Sequence, residues 1–109
     1  TPEDDMEGMV EYGLSVVNNE PEEALRMYHE AISLYEGNDR KYPLPVEIID
    51  LSIAIVLNIA KVDIQQAINL LDIIEVEEFR IETIDNLIEK TDDEKYKIVL
   101  EKMKEEGLE

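Results

Sequence analysis

The sequence contains no cysteine and no tryptophan, one histidine, and only four glycines and four prolines among its 109 residues. Without cysteine the chain can form no disulfide, thiolate metal site, cysteine nucleophile or thiol redox switch. A single histidine excludes metal sites that need two imidazoles. The longest uninterrupted apolar run, Ile53 to Leu57, has five residues, whereas a membrane-spanning helix needs about 20. We therefore expect no membrane span.

Basic residues are scarce: ten Lys and Arg stand against 28 Asp and Glu, for a formal net charge of −18. Residues 1–39 hold eleven acids and one base, Arg26, for a net charge of −10, whereas residues 40–75 carry −2 and residues 76–109 carry −6. Phosphate binding relies on Lys and Arg that displace counterions. We therefore predict no direct binding to nucleic acid or to membranes. The charge is compatible with a partner that has a basic surface, but a general role in solubility is the commoner explanation of such a charge.

Apolar residues make up 44% of the chain, which is enough for a hydrophobic core. The length suits one domain, so we predict a single acidic helical domain over residues 1–109. The first residues, Thr-Pro-Glu-Asp-Asp, differ from the basic and then apolar start of a signal peptide, and we expect a cytoplasmic protein. The chain begins at Thr1 rather than Met, which suggests a processed protein or a piece of a longer one.

Apolar residues recur at three- and four-residue steps along nearly the whole chain, which is the spacing of helices. The first two stripes are Met6, Met9, Val10, Leu14 and Val17, then Ala24, Leu25, Tyr28, Ala31, Ile32 and Tyr35. Between them, Asn18 to Pro21 predicts a stop and a restart, with proline in the first turn of the second helix. Gly37 and Asn38 predict the end of that helix, because both accept the left-handed conformation that closes helices.

A loop and a strongly apolar helix follow. The two prolines in Arg40–Pro45 bar a helix there. Ten of the thirteen residues from Ile48 to Ala60 are apolar, so we predict a helix that is buried on nearly all sides. That apolar surface leaves two alternatives, cover by the rest of the chain or by a second copy in a homodimer. Asp63 is predicted to cap the next helix, with Gln66 completing a capping box. That helix is expected to continue to residue 74, because Ala67, Ile68, Leu71 and Ile74 follow at helical spacing.

The last third of the sequence is less regular. Residues 73–84 fit a helix, but Phe79 to Thr83 also alternates apolar and polar residues as a strand does. We choose a helix, because a single strand would have no partner. Thr91, with Glu94 three residues later, predicts the capping box of a final helix. Its apolar face is predicted to hold Tyr96, Val99, Leu100 and Met103.

The second predicted helix resembles the second helix of a tetratricopeptide repeat. The resemblance lies in Glu23 to Leu34, where Ala24, Tyr28 and Ala31 stand at the family's spacing. In that family the alanines let the two helices of a repeat approach closely, and the aromatic residue fills the groove between them. The resemblance covers about residues 9–36, and a weaker match covers about residues 51–75.

The first helix departs from the family's pattern. Gly13 matches the family's small residue only if the connecting turn is one residue shorter, and Glu36 stands where the family has proline. The resemblance implies a short tetratricopeptide-like array that holds a peptide or a partner helix in a groove, without catalysis. A compact helical bundle of another kind is the alternative. Either way, we predict an all-α fold of about five to six helices.

Motifs for catalysis are missing. His29 lies beside the apolar stripe near Arg26 and Glu30, which predicts a surface histidine rather than a general base. Glu3 to Leu14 partly matches a calcium loop, but leucine occupies the twelfth position, where a bidentate glutamate is needed. The sequence has no phosphate-binding or dinucleotide-binding glycine motif and no nucleophile elbow. We expect no enzyme, no cofactor and no metal site.

The function that remains is binding to another protein. We predict a non-catalytic helical protein–protein interaction module, an adaptor or a complex subunit. Because aromatic residues are enriched at binding hot spots, the candidate residues are Tyr12, Tyr28 and Tyr35 on an apolar groove, or Tyr42 and Leu44 in the proline loop. The alternative is an acidic inhibitor that mimics nucleic acid and occupies the basic surface of a DNA- or RNA-binding protein.

Overall fold

The computed structural model describes residues 1–108 and contains six α-helices and one 3₁₀ turn. In chain order they are α1 (Pro2–Val16), α2 (Pro21–Gly37), α3 (Glu47–Ala60), α4 (Ile64–Asn69), the 3₁₀ turn (Leu71–Ile73), α5 (Glu77–Lys90) and α6 (Glu94–Leu108). No strand is present in this part of the chain, so the prediction of an all-α fold with five to six helices is confirmed. Within the same residues, every helix is too short or too polar to cross a membrane.

The internal contacts divide the chain into two units, Thr1–Ile55 and a second unit that begins at Val56. The boundary lies inside α3, which contributes residues to both units. The single domain over residues 1–109 stays a prediction.

In the first unit, α1 and α2 pack against each other as a helical hairpin. Thr1 caps α1, since its Oγ1 accepts a hydrogen bond from the backbone N–H of Asp4 at 3.2 Å. Pro21 occupies the first turn of α2, as predicted, where its missing N–H leaves no hydrogen bond unmade. The buried apolar side chains of the unit are Met6, Val10, Val17, Ala24, Met27, Tyr28, Ala31, Ile48, Leu51 and Ile55.

Three helices of the first unit meet at Gly13. A Cβ atom placed there would lie 3.0 Å from Cδ2 of Leu51 on α3 and 3.6 Å from Cβ of Met27 on α2. The missing side chain therefore permits the close approach of α1 to both neighbours. Gly8, one and a half turns earlier in α1, has no neighbouring atom within 4 Å of the same position.

Helix α2 ends at Gly37 with Asn38 as its C-cap, as predicted. The left-handed conformation expected at these two residues falls instead on Asp39 (φ 54°) and Arg40 (φ 58°), while Asn38 has a φ of −105°. The side-chain Nδ2 and the backbone N–H of Asn38 both donate to the carbonyl of Leu34, at 2.8 and 3.2 Å, and these bonds close the helix end. The following proline loop is not helical, as predicted.

The prediction of a largely buried third helix is confirmed. Leu51, Ile55, Val56 and Ile59 have no exposed surface in the single chain, and Ser52 is 2% exposed. The Ser52 hydroxyl donates to a backbone carbonyl one turn earlier in α3, at 2.7 Å, so its burial leaves no unpaired donor.

The middle of the second unit combines confirmed and corrected predictions. Asp63 caps α4, because its Oδ1 accepts from the backbone N–H of Gln66 at 3.1 Å, as predicted. The helix expected to continue toward residue 74 instead ends at Asn69, and the chain passes through the 3₁₀ turn. Residues 77–90 form α5, which confirms the choice of a helix for Phe79–Thr83. Residues 74–76, which the predicted helix included, are not helical.

The predicted cap of the last helix is wrong by two residues. Thr91 ends α5, and Asp93 is the residue that precedes α6. The Oδ1 of Asp93 accepts from the backbone N–H of Lys95 at 2.9 Å. Aspartate competes well with threonine as a cap, and its charge suits the positive end of the helix dipole. The apolar face of α6 is also narrower than predicted, since Leu100 is fully buried but Val99 is 40% exposed.

Candidate functional site

The five residues predicted to bind a partner lie in different environments. Tyr12 is 45% exposed, whereas Tyr28 is only 6% exposed and belongs to the core of the first unit. Tyr35, Tyr42 and Leu44 are half-buried. A molecule that approaches from solvent would thus contact Tyr12 directly, whereas Tyr28 packs inside the core of the first unit.

Tyr12 shares the solvent-exposed side of α1 with four acidic residues. Asp4, Asp5, Glu7 and Glu11 are exposed and lie on neighbouring helical rows, three or four residues apart. Helix α1 contains no basic residue. We call these four carboxylates and Tyr12 the acidic face of α1. The buried positions of α1 are Met6, Val10 and Gly13, which recur at every third or fourth residue and lie on the side of the helix that packs against α2.

Arg26 on α2 is the only base in the first 39 residues. Its Nη2 contacts Oε1 of Glu23 at 2.5 Å, and its Nη1 contacts Oε1 of Glu30 at 2.6 Å. The hydrogen bond that Arg26 donates to Glu23 raises the pKa of Arg26, with smaller contributions from Glu30 and Tyr12. The charge of Arg26 is therefore already shared between two carboxylates of its own helix.

Three of the four carboxylates on the acidic face of α1 lack a counter-charge within the described residues, whereas Asp4 Oδ2 lies 3.7 Å from the terminal ammonium group of Thr1. Within residues 1–108, Asp5, Glu7 and Glu11 form no ion pair and no side-chain hydrogen bond. Like charges that are held close together on one helix repel one another, which makes an approaching positive charge favourable.

His29 is exposed on α2, and its ring lies edge-on to Tyr28 with 5.6 Å between the ring centres. Its predicted surface position, next to the Arg26–Glu30 pair, is confirmed. Among residues 1–108, no three side chains of the metal-binding types form a group that could hold an ion.

The second unit contains a pocket that the sequence did not predict. Its volume is about 370 Å³, and it lies where the end of α3, the start of α4 and the end of α5 meet. The lining residues are the apolar Leu57, Ala60, Ile64 and Leu87 and the polar Lys61, Lys90, Thr91 and Asp92. We call it the Lys61–Lys90 pocket. One feature of the sequence could have indicated the two lysines: both stand at the C-terminal ends of predicted helices, where the helix dipole favours cations.

Another depression, also of about 370 Å³, runs along α6. It is lined by Glu94, Lys97, Ile98, Glu101, Lys102 and Glu105. Ile98 is 62% exposed but is surrounded by charges of both signs. A single exposed apolar side chain of this kind is ordinary on a protein surface, so the depression lacks an apolar floor.

No protein-family model, curated protein or solved structure matches this chain. The tetratricopeptide resemblance stays a prediction drawn from the residues. Ala24 and Ala31, which carry it, have no exposed surface in the first unit.

Proposed function

We propose that this protein is a non-catalytic helical interaction module, an adaptor or a complex subunit, which binds a basic partner protein through the acidic face of α1. The observation that carries the proposal is Tyr12. It keeps 45% of its surface exposed on the same side of α1 as Asp5, Glu7 and Glu11, which form no ion pair within the described residues.

The two components of this face would contribute differently to binding. The carboxylates would attract Lys and Arg of the partner over several ångströms, which raises the association rate and fixes the orientation. Tyr12 would supply short-range contact, because an aromatic ring buries a large area and also attracts Arg and Lys to its face. Such binding is weakened by salt, since exposed charges are screened.

The tetratricopeptide-like packing and the cytoplasmic location belong to the same proposal. Support for the packing comes from the α1–α2 hairpin, in which Ala24, Tyr28 and Ala31 are buried at the family's spacing. Arrays of this family need about three repeats for stability. We therefore propose likeness in the packing of one hairpin rather than a full array.

A nucleic-acid mimic is the second candidate, and one observation favours it. Asp4, Glu7 and Glu11 form a row along α1 with a rise of about 1.5 Å per residue, so carboxylates recur along a line as phosphates do. A mimic would compete with nucleic acid for its partner, whereas an adaptor would not.

The test is capture of a partner from an extract of the source cells, with wild-type protein and two α1 variants. Tyr12→Ala is expected to weaken binding by at least about fivefold, which corresponds to about 1 kcal/mol, a loss that only a minority of interface residues exceed. Glu7→Gln combined with Glu11→Gln is expected to weaken it by about three- to tenfold, mainly at low salt.

The matched control is Glu101→Gln with Glu105→Gln, which removes the same charge from exposed positions on α6. It is expected to bind as the wild type does. Equal binding by all variants, with each folded by circular dichroism, would contradict the proposal. If duplex DNA displaces the captured partner, the mimic is the correct candidate.

A further inference from the structure

We propose that the Lys61–Lys90 pocket binds a peptide segment of a partner protein in which an aliphatic side chain lies next to a carboxylate. This site differs from the acidic face of α1 in its unit and in the sign of the charge that it attracts. It therefore goes beyond the proposed function and does not depend on it.

The apolar part of the pocket is suited to an aliphatic side chain. Leu87 is 1% exposed and forms a buried floor, while Leu57, Ala60 and Ile64 are half-buried and line the sides. The volume of about 370 Å³ is near the lower end of the range for ligand pockets, about 300–1,000 Å³. A few side chains of a peptide fit such a space, and burying them removes apolar surface of both partners from water.

The polar part of the pocket is suited to a carboxylate. The side chain of Lys90 forms no hydrogen bond or ion pair within the described residues, so its ammonium group is available. The ammonium group of Lys61 donates one hydrogen bond, to Oδ1 of Asn58 at 3.2 Å, and an ammonium group has three protons to donate. Asn58 is 9% exposed, which anchors Lys61 to a buried group.

The charged residues that line the pocket are mainly basic, whereas the chain as a whole is strongly acidic. Two of the ten basic residues line it together with one acid, Asp92, in a unit that holds fifteen acids and seven bases. At physiological salt the Debye length is about 8 Å, so a carboxylate inside the pocket responds mainly to the charged lining groups, two lysines against the single Asp92. A polyanion such as nucleic acid would extend beyond that range and meet the surrounding carboxylates.

A peptide suits this pocket better than a free aliphatic acid. Lys61, Lys90 and Asp92 are exposed, so the rim is open, and a chain can enter and leave on either side of an anchoring residue. A long free alkyl tail gains most from an enclosed cavity, because its binding energy comes from the area that it buries.

The experiment is a titration followed by ¹⁵N–¹H NMR, with the full chain and two acetylated, amidated peptides. The first has the sequence Gly-Ser-Leu-Glu-Leu-Ser-Gly, and the second has Gln in place of Glu. The Glu peptide is expected to shift amide signals of the pocket residues and to bind at least about fivefold more tightly than the Gln peptide, as expected for a charge-assisted contact.

Variants of the lysines complete the test. Lys61→Gln with Lys90→Gln is expected to remove the difference between the two peptides. The matched control, Lys95→Gln with Lys102→Gln on α6, is expected to preserve it. Equal affinity of the two peptides for the wild type, or shifts outside the pocket, would overturn the proposal. So would binding of decanoate at a concentration at which the Glu peptide does not bind.

Discussion

At the scale of single residues, the two glycines in α1 have different surroundings. Glycine inside a helix costs about 1 kcal/mol relative to alanine, because the unfolded chain has more freedom to lose. At Gly8 an added Cβ would meet no atom within 4 Å, so nothing in the fold requires glycine there. At Gly13 the same Cβ would lie 3.0 and 3.1 Å from the two terminal methyl groups of Leu51.

This contrast predicts different effects of the same substitution. Gly8→Ala is expected to raise the free energy of unfolding by about 0.5–1 kcal/mol. Gly13→Ala is expected to gain less than Gly8→Ala or to lose stability, since Leu51 must move by a few tenths of an ångström to admit the methyl group. Urea denaturation of the two variants measures the difference. Equal stabilisation by both would show that Gly13 is not a packing requirement.

The candidate binding residues show the limit of sequence patterns at this scale. Tyr28 and Tyr35 stand seven residues apart on one helical stripe, which correctly indicates a shared face of α2. The spacing of apolar residues does not indicate whether another helix packs on that face of α2. Because α1 packs there, Tyr28 is buried, and the exposed aromatic residue is Tyr12 on the neighbouring helix.

At the scale of elements, the helices with strong apolar periodicity were predictable from sequence. The breaks around α1, α2 and α3 follow from local chemistry, such as Pro21 and the two prolines of the loop. The bounds of the short elements were harder to predict from the sequence. The early end of α4 at Asn69 and the cap at Asp93 depend on competition between several acceptable residues.

The Lys61–Lys90 pocket was beyond the reach of periodicity. Its lining comes from three helices, and its two lysines are distant in sequence. Considered alone, each lysine is explained by its favourable interaction with the dipole at a helix C-terminus. Only the folded chain places them around the same apolar surface.

At the scale of the whole molecule, the excess of acidic residues is only slightly compensated by ion pairs. Besides the cluster around Arg26, an inter-helix pair joins Lys104 Nζ on α6 to Asp85 Oδ1 on α5, at 2.8 Å. The hydrogen bond to Asp85 raises the pKa of Lys104. With a formal net charge of −18, most carboxylates repel one another, and this repulsion is weaker in the expanded unfolded chain.

Salt is therefore expected to stabilise the fold by screening this repulsion. The melting temperature in sodium chloride solutions at neutral pH should rise between about 20 mM and about 300 mM, over which the Debye length falls roughly fourfold. Arg26→Gln should enlarge the rise, because it removes the only base in the first 39 residues. A melting temperature that does not change with salt would contradict the claim of uncompensated repulsion.

The most direct test of the proposed function is carboxyl-group footprinting of the protein with and without its captured partner. A reagent that labels exposed Asp and Glu reports the accessibility of each carboxylate. We predict that labelling of Asp4, Asp5, Glu7 and Glu11 decreases when the partner binds, while labelling of Glu101 and Glu105 is unchanged. Protection confined to α5 and α6, with the acidic face of α1 labelled as in the free protein, would contradict this prediction.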